Sequence, residues 1–185
     1  MSAEELHLPR LLGPGLRYVF IGFNPGIESA RRGHYYAFRG NVFWRQMHES
    51  GMVPHPVTHE DDRDLFENSG IGFVDLCSRP TVAAKDLSPA ELREGAMRLL
   101  GELIEHRPKV AVFAGRGVFN TFGRHALGLS AGQLRGRSDG AQPERLPGDE
   151  TGKTVLYVIP SSSGLASGWH RERLELLRRL ARDYR

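Results

Sequence analysis

Four short segments of the 185-residue chain hold side chains able to do chemistry. The first is Gly22-Phe23-Asn24-Pro25-Gly26, at the end of an apolar run. An amide such as Asn24 can hold a water on its oxygen while its NH2 group meets a carbonyl, but it is no strong base. Pro25 and Gly26 set a tight turn and leave backbone N–H groups for an acceptor. The plainer reading of Asn24 is an Asx turn that caps the loop. The second segment is Asp75-Leu76-Cys77-Ser78-Arg79-Pro80-Thr81. A carboxylate among apolar neighbours needs partners, or its pKa rises. Asp75 is therefore either a general base or a structural cap paired with Arg79. Cys77 reads as a small buried residue rather than a nucleophile.

The third segment, Pro160-Ser161-Ser162-Ser163-Gly164-Leu165-Ala166-Ser167, lacks the G-x-S-x-G elbow of a serine hydrolase. Its small residues suit close approach of a phosphate to the backbone. Leu165 is either a core contact or a wedge for a gap in a base stack. The fourth, Gly33 to Trp44, runs GHYYAFRGNVFW. Tyr35 and Tyr36 are candidates for stacking on a planar base, whereas Phe43 and Trp44 open a helix and read as core. The histidines are scattered, and His55 and His59 share a proline-containing loop without cysteines. No metal or cofactor is expected.

Four β-branched or aromatic runs must position these segments: Arg17–Phe23, Ile71–Leu76, Val110–Ala114 and Thr154–Ile159. Helical patterns cover Val42–Ser50, Glu60–Asn68, Ser88–His106, a stretch starting near Gly117, and Trp169–Asp183, where Leu174, Leu177 and Leu180 recur. Ser88-Pro89-Ala90-Glu91 supplies an N-cap, a first-turn proline and a capping glutamate. Strands alternating with helices predict one three-layer α/β/α domain over residues 1–185, with a mostly parallel four-stranded central sheet. Gly136–Gly152 reads as an exposed loop. In open α/β sheets ligands bind beyond the carboxyl ends of the strands, which puts the Asn24, Asp75 and serine-rich segments on one rim.

With 39% hydrophobic residues the chain is too apolar to be disordered. It has no run of about 18 apolar residues, so no membrane partner is expected. The start, MSAEELHLPRLLG, is acidic where a signal peptide is basic. A single cysteine excludes an internal disulfide and fits a reducing cytosol. The expected location is bacterial cytoplasm, or the nucleus in a eukaryote. Of the 25 basic residues, 22 are arginine. That suits phosphate oxygens, and equally suits a GC-rich genome. Arginines gather between Arg124 and Arg137 and again at Arg171, Arg173, Arg178, Arg179 and Arg182.

GFNPG, the ungapped stretch from Gly22 to Trp44, Arg79-Pro80-Thr81, LREG (Leu92–Gly95), KVAVFAG (Lys109–Gly115) and PSSSGLAS together resemble the mismatch-specific uracil/thymine DNA glycosylases of the uracil-DNA glycosylase superfamily. The resemblance covers nearly the whole chain. It implies a metal-free, monofunctional enzyme, expected as a monomer, that flips uracil out of DNA and cuts its glycosidic bond. Mismatched thymine and damaged pyrimidines are further candidate bases. The implied partner is duplex DNA with G·U or G·T mismatches, with single-stranded DNA as a second candidate. Asn24 then matches the water-positioning amide, the Phe23 N–H a donor to the base, and Tyr36 the stacking ring, with Gly22 and Ser29 beside the base. Ser163, Gly164, Leu165 and Ser167 match the DNA-facing wedge loop. Two positions depart. Ser167 stands where bacterial relatives tend to carry arginine, and Asp75 is a carboxylate the resemblance does not predict. The spatial expectation is that residues 24, 36 and 165 converge on one extruded pyrimidine. A non-catalytic nucleic-acid binding module and a small-molecule nucleotide hydrolase are the alternatives.

Overall fold

The computed structural model describes residues 6–162 and 168–185. Four of its strands are the four apolar runs, β3 unchanged and the others trimmed by a residue or two: β1 (Tyr18–Gly22), β2 (Ile71–Asp75), β3 (Val110–Ala114) and β5 (Val155–Ile159). They pair in parallel in the order β2-β1-β3-β5. The sheet is five-stranded rather than four-stranded. A fifth strand, β4 (Gly140–Ala141), lies antiparallel on the outer edge of β5, inside the segment expected to be an exposed loop. Two residues are too few to show the alternation that marks a strand. The opposite edge is covered as well, because Leu11 exchanges backbone hydrogen bonds of 3.0 and 2.9 Å with Phe73 of β2.

Helices cover both faces. They are α1 (Ile27–Arg32), α2 (Phe43–Glu49), α3 (Asp62–Ser69), α4 (Pro89–His106), α5 (Arg116–Ala126), α6 (Ala131–Leu134) and α7 (His170–Asp183). One face carries an aliphatic core from α4 and α5, with Leu99, Leu103, Val118 and Phe122 packed on Val19, Ile21 and Phe113. The other is aromatic: Phe43 and Trp44 of α2 and Leu177 and Leu180 of α7 pack on Phe20, Phe73 and Tyr157. No helix among the described residues is long and apolar enough to cross a membrane.

α4 starts as its sequence dictates. The Ser88 hydroxyl accepts the Glu91 N–H, and the Glu91 carboxylate accepts the Ser88 N–H at 2.8 Å. At Gly95 this helix meets the end of β2, where a Cβ would lie 2.3 Å from the Leu76 carbonyl oxygen. Any larger residue would push the helix off the strand end that carries Asp75. On α7 the buried stripe is Arg173, Leu176, Leu177 and Leu180, with Leu174 only half-buried. Leu177 and Leu180 are buried as the leucine spacing predicts; in the turn before them the inward position is Arg173 and not Leu174, because an arginine does not read as an inward residue.

Candidate active site

The sheet is wound outward from the boundary between β1 and β3, the switch point at which open α/β folds hold ligands. The loop after β1 lies there. Phe23 packs toward α5, its ring 3.5 Å from where a Cβ on Gly117 would sit. Asn24 follows. Its Nδ2 donates to the Arg79 carbonyl at 2.9 Å and to Thr81 Oγ1 at 2.7 Å, with a longer bond of 3.3 Å to the Pro25 carbonyl. Thr81 donates its own hydroxyl hydrogen to the Ala83 carbonyl at 2.8 Å, so toward Asn24 it acts as acceptor. That fixes which end of the amide is nitrogen. The NH2 group is thus spent inside the protein and is not left for a substrate carbonyl. Among the described residues nothing donates to Asn24 Oδ1. Thr81 and Arg79, which belong to the loop after β2, therefore orient the Asn24 amide, a role that neither the RPT motif nor the expected Asp75–Arg79 pair suggests. A backbone bridge from Gly26 to Thr81 ties the two loops further.

Asp75 is the last residue of β2 and pairs with Gly22. Its carboxyl group lies against the bare Cα of Gly22, where a Cβ would sit 2.2 Å from Asp75 Oδ1 and 3.8 Å from the Tyr36 hydroxyl. Glycine at position 22 is what lets a carboxyl group occupy the rim. The ion pair with Arg79 does not form: Arg79 instead holds Glu91 through bonds of 2.6 and 3.0 Å. No described donor hydrogen-bonds the Asp75 carboxyl. Burial pushes its pKa from 3.8 up to about 7, against a weaker opposing pull from Arg10. Arg10 itself donates to the Asp75 backbone carbonyl at 2.8 Å and pairs with Glu102. Cys77 is buried, donates to the Glu91 carbonyl, and has its thiol pushed up to about 11 by burial, as suits an inert core residue.

The two loop tyrosines part company. Tyr35 is core: it is 3% exposed, and its hydroxyl donates to the Pro9 carbonyl at 2.9 Å. It is not a stacking candidate. Tyr36 is half-buried, with φ of 51°, in the left-handed region. Such a backbone costs a non-glycine residue roughly 1–3 kcal/mol. It turns the ring away from its neighbour's direction and stacks it on Phe43, centroids 4.0 Å apart. One ring face is thus covered by Phe43. Its hydroxyl is buried and has no hydrogen-bond partner among the described residues, and burial raises its pKa, with Asp75 adding to the rise. Ser29 is buried, and its hydroxyl accepts the Ala37 N–H at 3.1 Å, pinning the aromatic loop to α1. Phe43 and Trp44 are core, as expected.

At the third corner of the rim, Ser161 follows β5 and its carbonyl is held by the guanidinium of Arg173. The Arg173 Nε also donates to Gln46 Oε1 at 2.6 Å, and Gln46 returns a bond of 2.8 Å to the His170 carbonyl. This fully buried arginine, one of the C-terminal group that the sequence gathers, ties α2 and α7 to the segment after β5. Ser163, Gly164, Leu165 and Ser167 lie outside the described residues, so the convergence of residues 24 and 36 with 165 is not visible. Among the described residues no cluster of histidine, cysteine and carboxylate side chains is arranged for a metal.

Residues 9–185 match the family model described as the uracil DNA glycosylase superfamily. Among curated relatives, a G/U mismatch-specific uracil DNA glycosylase of Schizosaccharomyces pombe is 31% identical over 162 residues, covering 86% of this chain and 47% of the relative. The chain thus spans about half the length of that relative. A solution NMR structure of a candidate uracil DNA glycosylase from Methanosarcina acetivorans superposes with a TM-score of 0.56 at 19% identity, covering 95% of this chain and 98% of that one, which is a likeness of fold.

Proposed function

The chain belongs to the uracil DNA glycosylase superfamily, and on that premise we propose that it is a monofunctional DNA glycosylase acting on uracil in G·U mismatches. Mismatched thymine and damaged pyrimidines are further candidate bases. The S. pombe relative, named for its specificity for G/U mismatches, points the same way. Extrusion of a base costs a few kcal/mol, least for a mispaired one.

In this reading a water sits on Asn24 Oδ1 and attacks C1′ of the extruded nucleotide. The C1′–N1 bond breaks and its electron pair leaves with the pyrimidine. The water's proton passes to the Asp75 carboxylate, supplying the base that an amide cannot be. The Phe23 N–H, at the turn beside Gly22, donates to the anionic pyrimidine. The Tyr36 ring, itself stacked on Phe43, is assigned to stack on the base. Ser29 keeps the wall beside the base small. Ser163, Gly164, Leu165 and Ser167 are assigned to the wedge that fills the vacated stack. No lysine occurs in the rim segments Gly22–Gly26, Asp75–Thr81 or Pro160–Ser167, so no Schiff base forms and the product is an abasic site.

The observation that carries this reading is the Asn24 amide, locked by Arg79 and Thr81 with its oxygen left for water, one strand from an unpaired buried carboxylate. The test is a panel of G·U, G·T, A·U and single-stranded uracil oligonucleotides, incubated without added metal and then treated with alkali. Breaks at uracil opposite guanine that vanish in Asn24→Ala are expected. Retention of the oligonucleotides without breaks would identify a binding module and overturn the reading.

A further inference from the structure

Two buried polar groups of the candidate site have no hydrogen-bond partner among the described residues: the Tyr36 hydroxyl and the Asp75 carboxyl. They flank the same atom. A Cβ on Gly22 would lie 2.2 Å from Asp75 Oδ1 and 3.8 Å from the Tyr36 hydroxyl. The two oxygens are therefore at most about 6 Å apart, a gap that one water spans with a bond of about 2.8 Å at each end.

The other charged and titratable groups around Asp75 have their donors committed elsewhere. Arg10 turns its three nitrogens to Glu102 of α4 and to the Asp75 backbone carbonyl. Arg98, also on α4, donates to the Leu76 carbonyl at 2.8 Å. The Tyr35 hydroxyl goes to Pro9 and the Cys77 thiol to Glu91. Tyr36 is the neighbour whose donor is unspent. Burial holds its hydroxyl protonated, so it can donate but cannot serve as the base. Its presence needs an account. Phenylalanine at position 36 would give the same stack on Phe43 without burying a hydroxyl, which destabilises a fold when left unpartnered. The ring is also held under strain, on a left-handed backbone with φ of 51°. Such strain persists where the surroundings fix it, and it gathers at functional sites.

We propose that Tyr36 is a positioning residue for Asp75: its hydroxyl donates, through one water, to the Asp75 carboxylate and so stabilises the ionised form that takes the proton of the attacking water. A hydrogen bond to the charged form favours that form. The proposal rests on the glycosylase reading for the reaction it serves, while the contact itself can be measured without DNA.

The test follows two carbons by NMR in the full chain, the Asp75 side-chain carboxyl carbon and Tyr36 Cζ, beside pH profiles of single-turnover G·U cleavage. In wild type the Tyr36 Cζ signal should titrate with the Asp75 midpoint. In Asp75→Asn it should stay flat. In Tyr36→Phe, with its fold confirmed by melting, the Asp75 midpoint should rise by about 0.5 to 1 on the pH scale, a roughly 3- to 10-fold gain in proton affinity. The climb in cleavage rate should move to higher pH by the same amount. A merely structural role would lower the rate at every pH and leave the midpoint where it was. An Asp75 midpoint that stays or falls in Tyr36→Phe overturns the proposal. So does a wild-type Tyr36 Cζ signal indifferent to Asp75, a result that depends on no variant folding. Midpoints that shift as stated, in a protein that cuts no G·U duplex, uphold the contact and overturn the glycosylase reading instead.

Discussion

Two of the buried carboxylates, Asp62 and Asp75, are treated in opposite ways. Asp62, at the start of α3, is 1% exposed and accepts the Tyr35 N–H and His34 Nδ1, each at 2.9 Å. Asp75, at the end of β2, is 7% exposed and accepts no hydrogen bond from any described residue. The first is consumed by architecture: it ties α3 to the aromatic loop and so sets where Tyr36 can stand. The second is kept unspent at the rim, with Gly22 cleared of a side chain to admit it. A fully partnered buried carboxylate stabilises a fold, whereas an unpartnered one costs stability. Asp75 is destabilising unless it is used, and the glycosylase reading says how.

The largest expected effect separates the two by activity. Asp75→Asn keeps the shape and removes the base, so single-turnover cleavage of a G·U duplex should fall roughly 100-fold or more. Asp62→Asn, assayed as folded protein, should lose far less. Comparable rates for the two variants would erase the distinction.

The next effect separates them by stability. Asp62→Ala strands the buried Tyr35 N–H, a loss of about 1–3 kcal/mol in urea unfolding. Asp75→Asn should show no such loss.

The pH dependence sharpens this further. The folded pKa of Asp75, about 7, lies above the ordinary 3.8. Stability owed to its neutral form is therefore fully present below about 3.8 and is lost as pH rises through about 7. Asp75→Asn should remove that decline, so its melting temperature should exceed that of wild type on the alkaline side. A parallel fall in both proteins would show that another group is responsible.

The smallest effect concerns Arg10, the cation that holds the Asp75 pKa down. In Arg10→Met the Asp75 titration midpoint, followed by NMR of the side-chain carboxyl carbon, should move upward. A midpoint that stays in place would remove Arg10 from the electrostatics of the site.

Much of the scaffold was legible because its signals are local. β3 was read residue for residue as Val110–Ala114, and the Ser88 capping box as it stands. Other elements are too short to announce themselves. α1, of 6 residues, has no side-chain cap and β4 has only two residues, while the 4-residue α6 carries a Ser130–Gln133 capping box with too little helix after it to form a pattern. Within the candidate site, Asn24 and Asp75 stand out in the sequence because amide and carboxylate chemistry at a strand end is conspicuous. Which of Tyr35 and Tyr36 faces outward was not legible, since it depends on one backbone angle at Tyr36. Nor was the inward turn of Arg173, whose partners Gln46 and Ser161 are remote in sequence. Hydrogen bonds between distant loops, such as Asn24 to Thr81, leave no periodic trace in a single chain.

The most direct test of an unspent carboxylate at the rim is the pH profile of single-turnover G·U cleavage in wild type and Asp75→Asn. The wild-type rate should climb as pH passes about 7, where Asp75 gives up its proton, while the variant stays low and flat. Superimposable profiles would contradict the account.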